Sequence, residues 1–471
     1  MESPVHATLR SLAAECDVSR LPIEGRLPSW LSGVLLRNGP GRFESAGQEV
    51  RHVFDGYALL QRFGFSGEGV SYRSRFLRSG IFQAAQRHGG PRIRQFGTAA
   101  NRSVIDMVQT LIAPRFPDNA GVHVARLGGR WMALTESPHP VEFDPATLST
   151  IGTFSFPDDI WGETTTAHPH EDSTTGEVIN VSTKFSGRDR FYEFYRLRGD
   201  DLRRKSICRL PVREPAYLHS FGMSARYLVL AEFPLVLDPL RLLLSDVSYI
   251  GAFRWKPKLG TRWRVVDRAS GRMVAAFTTD ASFAFHHLAA YEEGDDLVVD
   301  LAAYADPAII DSFYFDRLTR DDARFPPSRL ERYRFDLARS TSTRESLFPD
   351  AMEFASVAPG YAGAPWRFVY AVGSSGDDRR GSFDRLLKGD VRTRSVSAWI
   401  SAGCSVAEPI FVPAPGRAAE DDGVVLALVH DRSGAGDSLV VLDAIHWGEI
   451  ARVRLPGSVP YGFHGRFVPE A

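Results

Sequence analysis

The sequence predicts an all-β protein. Short segments rich in β-branched and aromatic residues recur along the chain, and Gly, Asp, Pro or Ser bounds most of them, which is the pattern of antiparallel strands joined by turns. Two segments have the form of hairpins, and segments with helical periodicity are few. Strand pairs that recur over a chain of this length are typical of a β-propeller, in which each blade is one small antiparallel sheet.

The individual elements agree with that architecture. The segment "RWRVVDRASGRMVAAF" predicts a hairpin that turns at Ala269–Gly271, and "LVVLDAIHWGEIARVRL" predicts one that turns near Trp447–Glu449. Residues 99–113 space their apolar side chains on one face, which predicts an amphipathic helix. No Gly/Ser-rich linker or Pro-rich hinge divides the 471 residues, so we expect a single domain over 1–471.

Composition excludes some classes of function and leaves others open. The 56 Lys and Arg residues nearly balance the 57 Asp and Glu residues, so no overall basic field would gather nucleic acid, and we expect no nucleic-acid partner. Residues 1–20 lack the continuous apolar core of a signal peptide, which predicts a cytoplasmic protein. Because no run of about 18 apolar residues occurs, the sequence predicts no membrane-spanning helix, while attachment to a membrane surface stays open.

Four histidines stand out by their context. Each lies at or beside the edge of a β-rich segment, where a propeller strand would end near the central axis. They are His168 in "TTAHPHED", His219 in "YLHSFGMS", His286 in "FAFHHLAAY" and His464 in "PYGFHGRF". Their separations of 51, 67 and 178 residues exclude a helical HExxH motif, whose two ligands lie on one face of one helix. The pattern fits a metal site assembled from different blades, but imidazole binds iron, zinc, copper and nickel, so the metal is not identified.

These segments also carry a family resemblance. From "LLRNGPGRFE" and "HVFDGYALLQRFGF" through the four histidine segments to "PYGFHG", the chain resembles the carotenoid cleavage oxygenases over nearly its whole length. The resemblance implies a seven-bladed β-propeller with a helical or loop cap over a metal site on the axis. It also implies one Fe(II) per chain with O₂ as co-substrate, and the ligands would be His168, His219, His286 and His464. In "FHHL" the family's ligand follows a Phe-x-Phe element, which favours His286 over His287.

The family further places three glutamates behind its ligands, where they accept hydrogen bonds from the distal N–H of three imidazoles. By resemblance these are Glu136 in "ALTESPHP", Glu353 in "AMEFASV" and Glu420 in "AAEDDGVV". Such acceptors fix the tautomer and the direction of the ring, and losing one typically costs roughly 10–100-fold in metal affinity or activity.

The resemblance implies an iron(II) dioxygenase that cleaves a C=C bond of a carotenoid or apocarotenoid into two carbonyl products. The substrate would lie in an apolar tunnel, and the candidate lining residues, which neighbour the ligands in sequence, are Phe283, Phe285, Trp161 and Phe463. The apolar stretch 231–255 resembles an insert with which relatives contact a membrane, although a buried cap element would have the same composition.

Other functions stay open at the level of sequence. Cleavage of a stilbene is the main alternative, and Arg130 stands near the position at which a stilbene-cleaving relative would carry a phenol-binding lysine. A retinoid isomerase would share all four ligands, so the ligand set does not separate isomerisation from cleavage. Outside the family, a propeller that only binds a partner predicts no stoichiometric metal, and a zinc hydrolase predicts activity without oxygen.

Overall fold

The fold is a seven-bladed β-propeller, as the sequence and its family resemblance predict. The computed structural model describes residues 9–45, 47–88, 93–99, 116–320, 322–374 and 383–470. Over these ranges, seven antiparallel sheets of four to six strands follow one another along the chain. The contacts between neighbouring sheets are concentrated at one edge strand of each sheet, and these edge strands form the inner ring around the axis.

The strands of each blade are given from the axis outwards. Blade 1 consists of His464–Pro469, Gly33–Arg42, Tyr57–Ser66, Gly69–Phe76 and Cys16–Val18. Blade 2 consists of His123–Leu127, Arg130–Leu134, Val141–Phe143 and Thr150–Thr153. Blade 3 consists of Thr164–Thr165 with His170–Glu171, then Glu177–Lys184, Phe191–Arg198 and Asp201–Pro211. Blade 4 consists of Gly222–Met223, Tyr227–Glu232, Thr261–Asp267 and Met273–Thr279.

The remaining three blades have the same layout. Blade 5 consists of Phe283–Glu293, Asp296–Tyr304, Arg329–Asp336 and Thr341–Ala351. Blade 6 consists of Glu353–Val357, Phe368–Gly373, Arg385–Asp390 and Ser395–Ile400. Blade 7 consists of Cys404–Val406 with Ile410–Pro413, then Gly423–Asp431, Ser438–Asp443, Gly448–Arg454 and Ile23–Gly25.

Two strand pairings close the ring between segments that are far apart in sequence. His464–Pro469 pairs with Gly33–Arg42 and becomes the innermost strand of blade 1. Ile23–Gly25 pairs with Gly448–Arg454 and becomes the outermost strand of blade 7. Blades 1 and 7 therefore each combine strands from both halves of the chain, which locks the first and last blades together.

Both hairpins predicted from the sequence are present. Thr261–Asp267 pairs with Met273–Thr279, and Ser438–Asp443 pairs with Gly448–Arg454. The second hairpin turns through Trp447, whose φ of 55° lies in the left-handed region. The helix expected over 99–113 falls almost entirely within 100–115, outside the described residues.

A cap covers the end of the axis at which the inner strands begin. It is built from the described residues of four inserts, each of which leaves a blade at that end: 43–45 with 47–56, 77–88 with 93–99, 233–260, and 305–320 with 322–328. Its helices are Gly80–His88, Pro239–Leu244, Ala308–Ser312 and Phe315–Leu318, with 3₁₀ turns at Val53–Asp55, Ile250–Ala252 and Pro257–Leu259, and short strand pairs at Glu44–Ser45 with Gln48–Glu49 and Leu235–Leu237 with Phe253–Trp255. Backbone hydrogen bonds connect the inserts, as from Val53 N–H to Phe313 O at 3.0 Å.

The apolar stretch 231–255 is partly core and partly surface. Leu235–Leu237 is buried and pairs with Phe253–Trp255, whereas Leu240 on the following helix is 68% exposed. Asp238 begins that helix, because its carboxylate accepts a hydrogen bond from the Arg241 N–H. None of the helices within the described ranges has the length and hydropathy needed to cross a bilayer.

Candidate metal centre

The four histidines singled out in the sequence meet at the axis. Their ligand nitrogens all lie within 4.8 Å of one another. The Nε2 atoms of His168 and His219 are 3.1 Å apart, and those of His286 and His464 are 3.2 Å apart. The four residues come from blades 3, 4, 5 and 1, and each stands at or just before the start of an inner strand. Because inner strands of a propeller run in the same direction, residues that are remote in sequence converge at one end of the axis.

Three of the four imidazoles have a glutamate behind them. The Nδ1 of His219 lies against Glu136, that of His286 lies 2.8 Å from Glu353 Oε2, and that of His464 lies 2.8 Å from Glu408 Oε1. An ionised carboxylate only accepts hydrogen bonds, so when these glutamates are ionised each Nδ1 atom carries the proton and each Nε2 carries a lone pair. Burial raises the pKa of Glu408 to about 7, and a cation at the Nε2 of His464 would favour its ionised form.

The glutamates are themselves held in place by donors from the surrounding blades. The hydroxyl of Tyr217 donates to Glu136 at 2.6 Å, and that of Tyr304 donates to Glu353 at 3.0 Å. The Gly465 N–H donates to Glu408 Oε2 at 2.7 Å. Each carboxylate therefore has a fixed direction, which in turn fixes the plane of the imidazole in front of it.

The prediction of Glu420 is wrong, and Glu408 takes its place. Glu408 directly precedes the inner strand Ile410–Pro413, at the end of the axis where the imidazoles lie. Glu420 lies in the turn after that strand, at its opposite end, and accepts hydrogen bonds from the N–H groups of Arg367 and Phe368. The "AEPIFV" segment carries the residue that the resemblance required, whereas the acidic "EDDG" turn joins blade 7 to blade 6.

His123 is a further residue at this centre that the sequence reasoning missed. It begins the inner strand of blade 2, and its ring is 5.6 Å from that of His168 with only 23° between the planes. It is also 5.6 Å from the ring of His464. Burial lowers the pKa of His123 to about 3, so it is neutral. Its position at the head of the segment "HVARLGGRWMAL" was the available signal.

The two remaining histidines of the axial segments point elsewhere. His170 donates from Nε2 to the carbonyl of Phe221 at 2.7 Å. His287 contacts the Ser220 hydroxyl through Nδ1 at 2.8 Å, so the choice of His286 as the inward-facing residue of "FHHL" agrees with the structure.

The four imidazoles fit a bound cation. With Glu353 and Glu408 ionised, the facing Nε2 atoms of His286 and His464 both carry lone pairs. Two lone pairs at 3.2 Å repel unless a positive charge lies between them. With metal–nitrogen bonds of about 2.1 Å, two ligand nitrogens at right angles lie roughly 3.0 Å apart. Burial and the neighbouring imidazoles hold the pKa values of His168 and His464 well below the ordinary value, so both are neutral ligands. An all-imidazole set suits iron, cobalt, copper or zinc rather than magnesium or calcium.

Aromatic rings cover the cap side of this centre. The ring of Phe285 is 5.0 Å from that of His219, and the ring of Phe354 is 5.4 Å from His286. Phe54 of the cap packs against Phe285 at 5.9 Å and against Phe463 at 5.2 Å. The aromatic surface continues through Phe96, Phe313, Phe325 and Phe383.

Of the four residues predicted to line a substrate tunnel, only Trp161 lies away from the centre. Phe285 and Phe463 lie beside the imidazoles, and Phe283 is buried against Phe285. Trp161 is 46% exposed and contacts Phe116. The reason is that Trp161 lies on the segment that carries the chain from the outermost strand of blade 2 inwards to blade 3, so closeness in sequence to His168 does not bring it to the axis.

Comparison with known proteins decides the family. A family model described as "Retinal pigment epithelial membrane protein" matches residues 9–469. "Carotenoid cleavage dioxygenase 8 homolog A, chloroplastic" from Oryza sativa subsp. japonica is 35% identical over 98% of this chain and 88% of its own length. The chain belongs to the carotenoid cleavage oxygenase family. The prediction of an oxygenase enzyme is thereby confirmed, and a propeller that only binds a partner is set aside.

Other members of the family extend the likeness in sequence and structure. "Beta,beta-carotene 15,15'-dioxygenase" of Gallus gallus is 29% identical over 95% of this chain and 95% of its own. The crystal structure of cobalt-substituted Synechocystis apocarotenoid oxygenase superposes with a TM-score of 0.87 at 27% identity, covering 99% of each chain. The seven-bladed fold is therefore that of a solved carotenoid cleavage oxygenase.

Proposed function

We propose that this chain is a non-haem iron(II) dioxygenase that cleaves one C=C bond of a carotenoid or apocarotenoid with O₂ and releases two carbonyl products. The observation that carries the proposal is the set of four imidazoles whose ligand nitrogens converge beside a continuous aromatic surface. Relatives named for carotenoid cleavage support the substrate class, and the cobalt-substituted relative supports a divalent metal.

In this proposal the ligands are His168, His219, His286 and His464. Bound iron would supply the activation of O₂, for which four protein ligands leave two positions of an octahedron free. Glu136, Glu353 and Glu408 hold three of the rings by accepting their Nδ1 protons. The carboxyl groups thus lie behind the imidazoles, and the atoms offered to the metal are imidazole nitrogens.

The aromatic surface would bind the polyene and select the bond. Phe54, Phe285 and Phe463 offer ring faces and edges next to the imidazoles, with no charged group among them. An unsaturated hydrocarbon chain has no groups for hydrogen bonding along its length, so packing against fixed rings is what places one double bond beside the metal. The same rings exclude water from the reacting bond.

No observation favours cleavage of a stilbene. The Arg130 side chain is 48% exposed and pairs with Glu142 at 3.0 Å, on the second strand of blade 2. The hydroxyls of Tyr217 and Tyr304 already donate to the glutamates behind two of the imidazoles. A phenol would therefore find no free partner among these three residues.

We also propose that the protein contacts a membrane peripherally through 231–255. Leu240 supports this role, since it is 68% exposed on the short helix of that segment. A substrate of this class is dissolved in lipid, so an enzyme that takes it up benefits from contact with a bilayer. The location in the cytoplasm stays a prediction from the sequence.

The deciding experiment is anaerobic reconstitution with Fe(II), followed by incubation with carotenoids, apocarotenoids and stilbenoids under isotopically labelled O₂. We expect iron-dependent formation of two aldehyde or ketone products from a carotenoid or apocarotenoid, each carrying a labelled oxygen atom. His219→Ala should lose both iron and turnover, while His446→Ala, an exposed histidine of blade 7, should retain both. Turnover with Zn(II) under nitrogen, or a rearranged product without cleavage, would contradict the proposal.

A further inference from the structure

A basic cleft opens at the cap end of blade 3. Its volume is ≈ 830 Å³, and its cationic side chains are Lys184, Arg188, Arg190, Arg209 and Arg213. Asp159 and Asp189 are the acidic residues of the lining. The strand Glu177–Lys184 ends at the cleft, and Phe191–Arg198 begins there, at the same end of the blade as His168. The cleft thus shares the end of the propeller at which the cap covers the metal centre.

Within the described part of the chain, some of this positive charge has no acidic partner. Arg209 pairs with Glu193 at 2.9 Å, and Arg190 donates to the carbonyl of Arg213 at 3.0 Å. Among the residues that the structure describes, no carboxylate forms an ion pair with Lys184, Arg188 or Arg213. These three cations are therefore available to an anionic ligand.

Exposed apolar side chains lie in and beside the same cleft. Trp161, which is 46% exposed, is part of its lining. The cap insert 233–260 is joined to the edge of the cleft, because Lys256 pairs with Glu214 at 2.6 Å. That insert exposes Leu240 by 68% and Leu259 by 39%. Apolar side chains are therefore exposed both in the lining of the cleft and on the cap insert that is joined to its edge.

We infer that the cleft binds the phosphate of an anionic phospholipid and so holds the cap end of the propeller against an anionic bilayer. A guanidinium group donates two parallel hydrogen bonds to a phosphate group. Tryptophan is enriched where membrane proteins meet the lipid headgroups. Trp161 in the lining and exposed Leu259, close in sequence to Lys256 at the cleft edge, favour a lipid over a free phosphate, because a soluble anion gains nothing from apolar contacts. The inference deepens the proposed membrane contact, and it rests on the proposed function only in that the substrate comes from a bilayer.

The test compares two double variants of blade 3, one that removes cations of the cleft and one that removes cations away from it. Arg188→Ser with Arg213→Ser removes two exposed cations of the cleft. Arg203→Ser with Lys205→Ser removes two exposed cations near the opposite end of the strand Asp201–Pro211, away from the cap. Binding is measured by co-sedimentation with vesicles of phosphatidylcholine alone or mixed with phosphatidylglycerol, with no substrate present.

We expect the unmodified protein to bind the mixed vesicles and to bind phosphatidylcholine alone much more weakly. A basic side chain near an anionic surface contributes about 5-fold, so the cleft variant should bind roughly 25-fold more weakly, and the control variant should bind like the unmodified protein. Equal loss in both variants, equal binding to both vesicle types, or displacement from vesicles by low concentrations of inorganic phosphate would each overturn the inference.

A separate measurement keeps this test distinct from that of the enzyme activity. Turnover of detergent-dissolved substrate should be unchanged in the cleft variant, because none of its residues contacts the imidazoles or the aromatic surface. If turnover is absent in every form while vesicle binding follows the expected pattern, the proposed reaction fails and the lipid site stands.

Discussion

At the scale of single residues, Glu408 and Glu420 show that the position of an acid in the folded blade decides whether it supports an imidazole. Both are acids of the same blade, but only Glu408 lies at the end of the inner strand where His464 stands. A negative charge behind an imidazole raises its basicity and fixes its direction, whereas one at the far end of the blade does neither.

Replacing Glu408 by Ala should therefore lower metal affinity by roughly 10–100-fold, with a similar loss of activity. Glu420→Ala is the matched control, and it should cost only about 1 kcal/mol of stability through its lost hydrogen bonds to Arg367 and Phe368. Metal content after dialysis against a graded chelator measures the difference. A larger metal loss in the Glu420 variant than in the Glu408 variant would contradict the geometry.

The sequence predicts most of this centre, and the exceptions have a physical reason. The four clustered histidines were predictable because each stands in a distinct motif at the edge of a strand. Glu408 and His123 were not, because the sequence does not say which end of a blade a turn occupies or which side chain opens an inner strand. Those facts follow from strand direction and pairing, which only the fold supplies.

At the scale of an element, the 3₁₀ turn Val53–Asp55 makes the stability of the protein dependent on pH. Asp55 is buried and accepts hydrogen bonds from the Thr98 hydroxyl at 2.6 Å and the Gly97 N–H at 3.0 Å. Burial outweighs these bonds and raises the pKa of Asp55 to about 7. The unfolded chain ionises Asp55 near pH 4 and the folded chain does not, so this residue lowers stability as pH rises from about 4 to 7.

Asp55→Asn should remove that contribution. Between about pH 5 and pH 7, the free energy of unfolding of the natural sequence should fall relative to that of the variant, by an amount on the order of a few kcal/mol. Urea denaturation at the two pH values measures it. Burial lowers the pKa of the neighbouring His52 to about 4, which has the opposite sign, but His52 is present in both proteins and cancels. Parallel pH profiles for the two proteins would contradict the prediction.

The aromatic surface of the cap should control which bond is cleaved. Phe54 touches rings of the cap and rings beside the imidazoles, so Phe54→Leu should broaden the product pattern and raise KM without changing metal content. Phe82→Leu is the control, since Phe82 stacks on Phe76 in a separate outer cluster. Mass analysis of the products distinguishes the two variants. An unaltered product pattern in the Phe54 variant would show that this ring does not help to position the substrate.

At the scale of the whole molecule, a metal bound by the four imidazoles would tie four blades together. Because blades 1, 3, 4 and 5 each supply an imidazole, metal binding requires the closed ring and should stabilise it. At a free metal concentration 100-fold above Kd, the expected gain is about 2.7 kcal/mol. Anaerobic thermal unfolding with and without Fe(II) measures it, and His286→Ala should abolish the gain.

The strands and turns could be predicted from the sequence more completely than the arrangement of the blades. Strands and both hairpins were predictable from alternation and turn residues, whereas the number of blades followed from the family resemblance. The pairing of His464–Pro469 with Gly33–Arg42 has no local signal, because it joins segments from opposite ends of the described chain. Ring closure is a property of the assembled blades, and no single segment encodes it.

The most direct test of the account is an anomalous difference map recorded at the iron absorption edge from crystals grown anaerobically with Fe(II). The account predicts one iron peak per chain, within about 2.1 Å of Nε2 of each of His168, His219, His286 and His464. A peak bound by fewer than four of these imidazoles, or by a carboxylate oxygen of Glu136, Glu353 or Glu408, would contradict it.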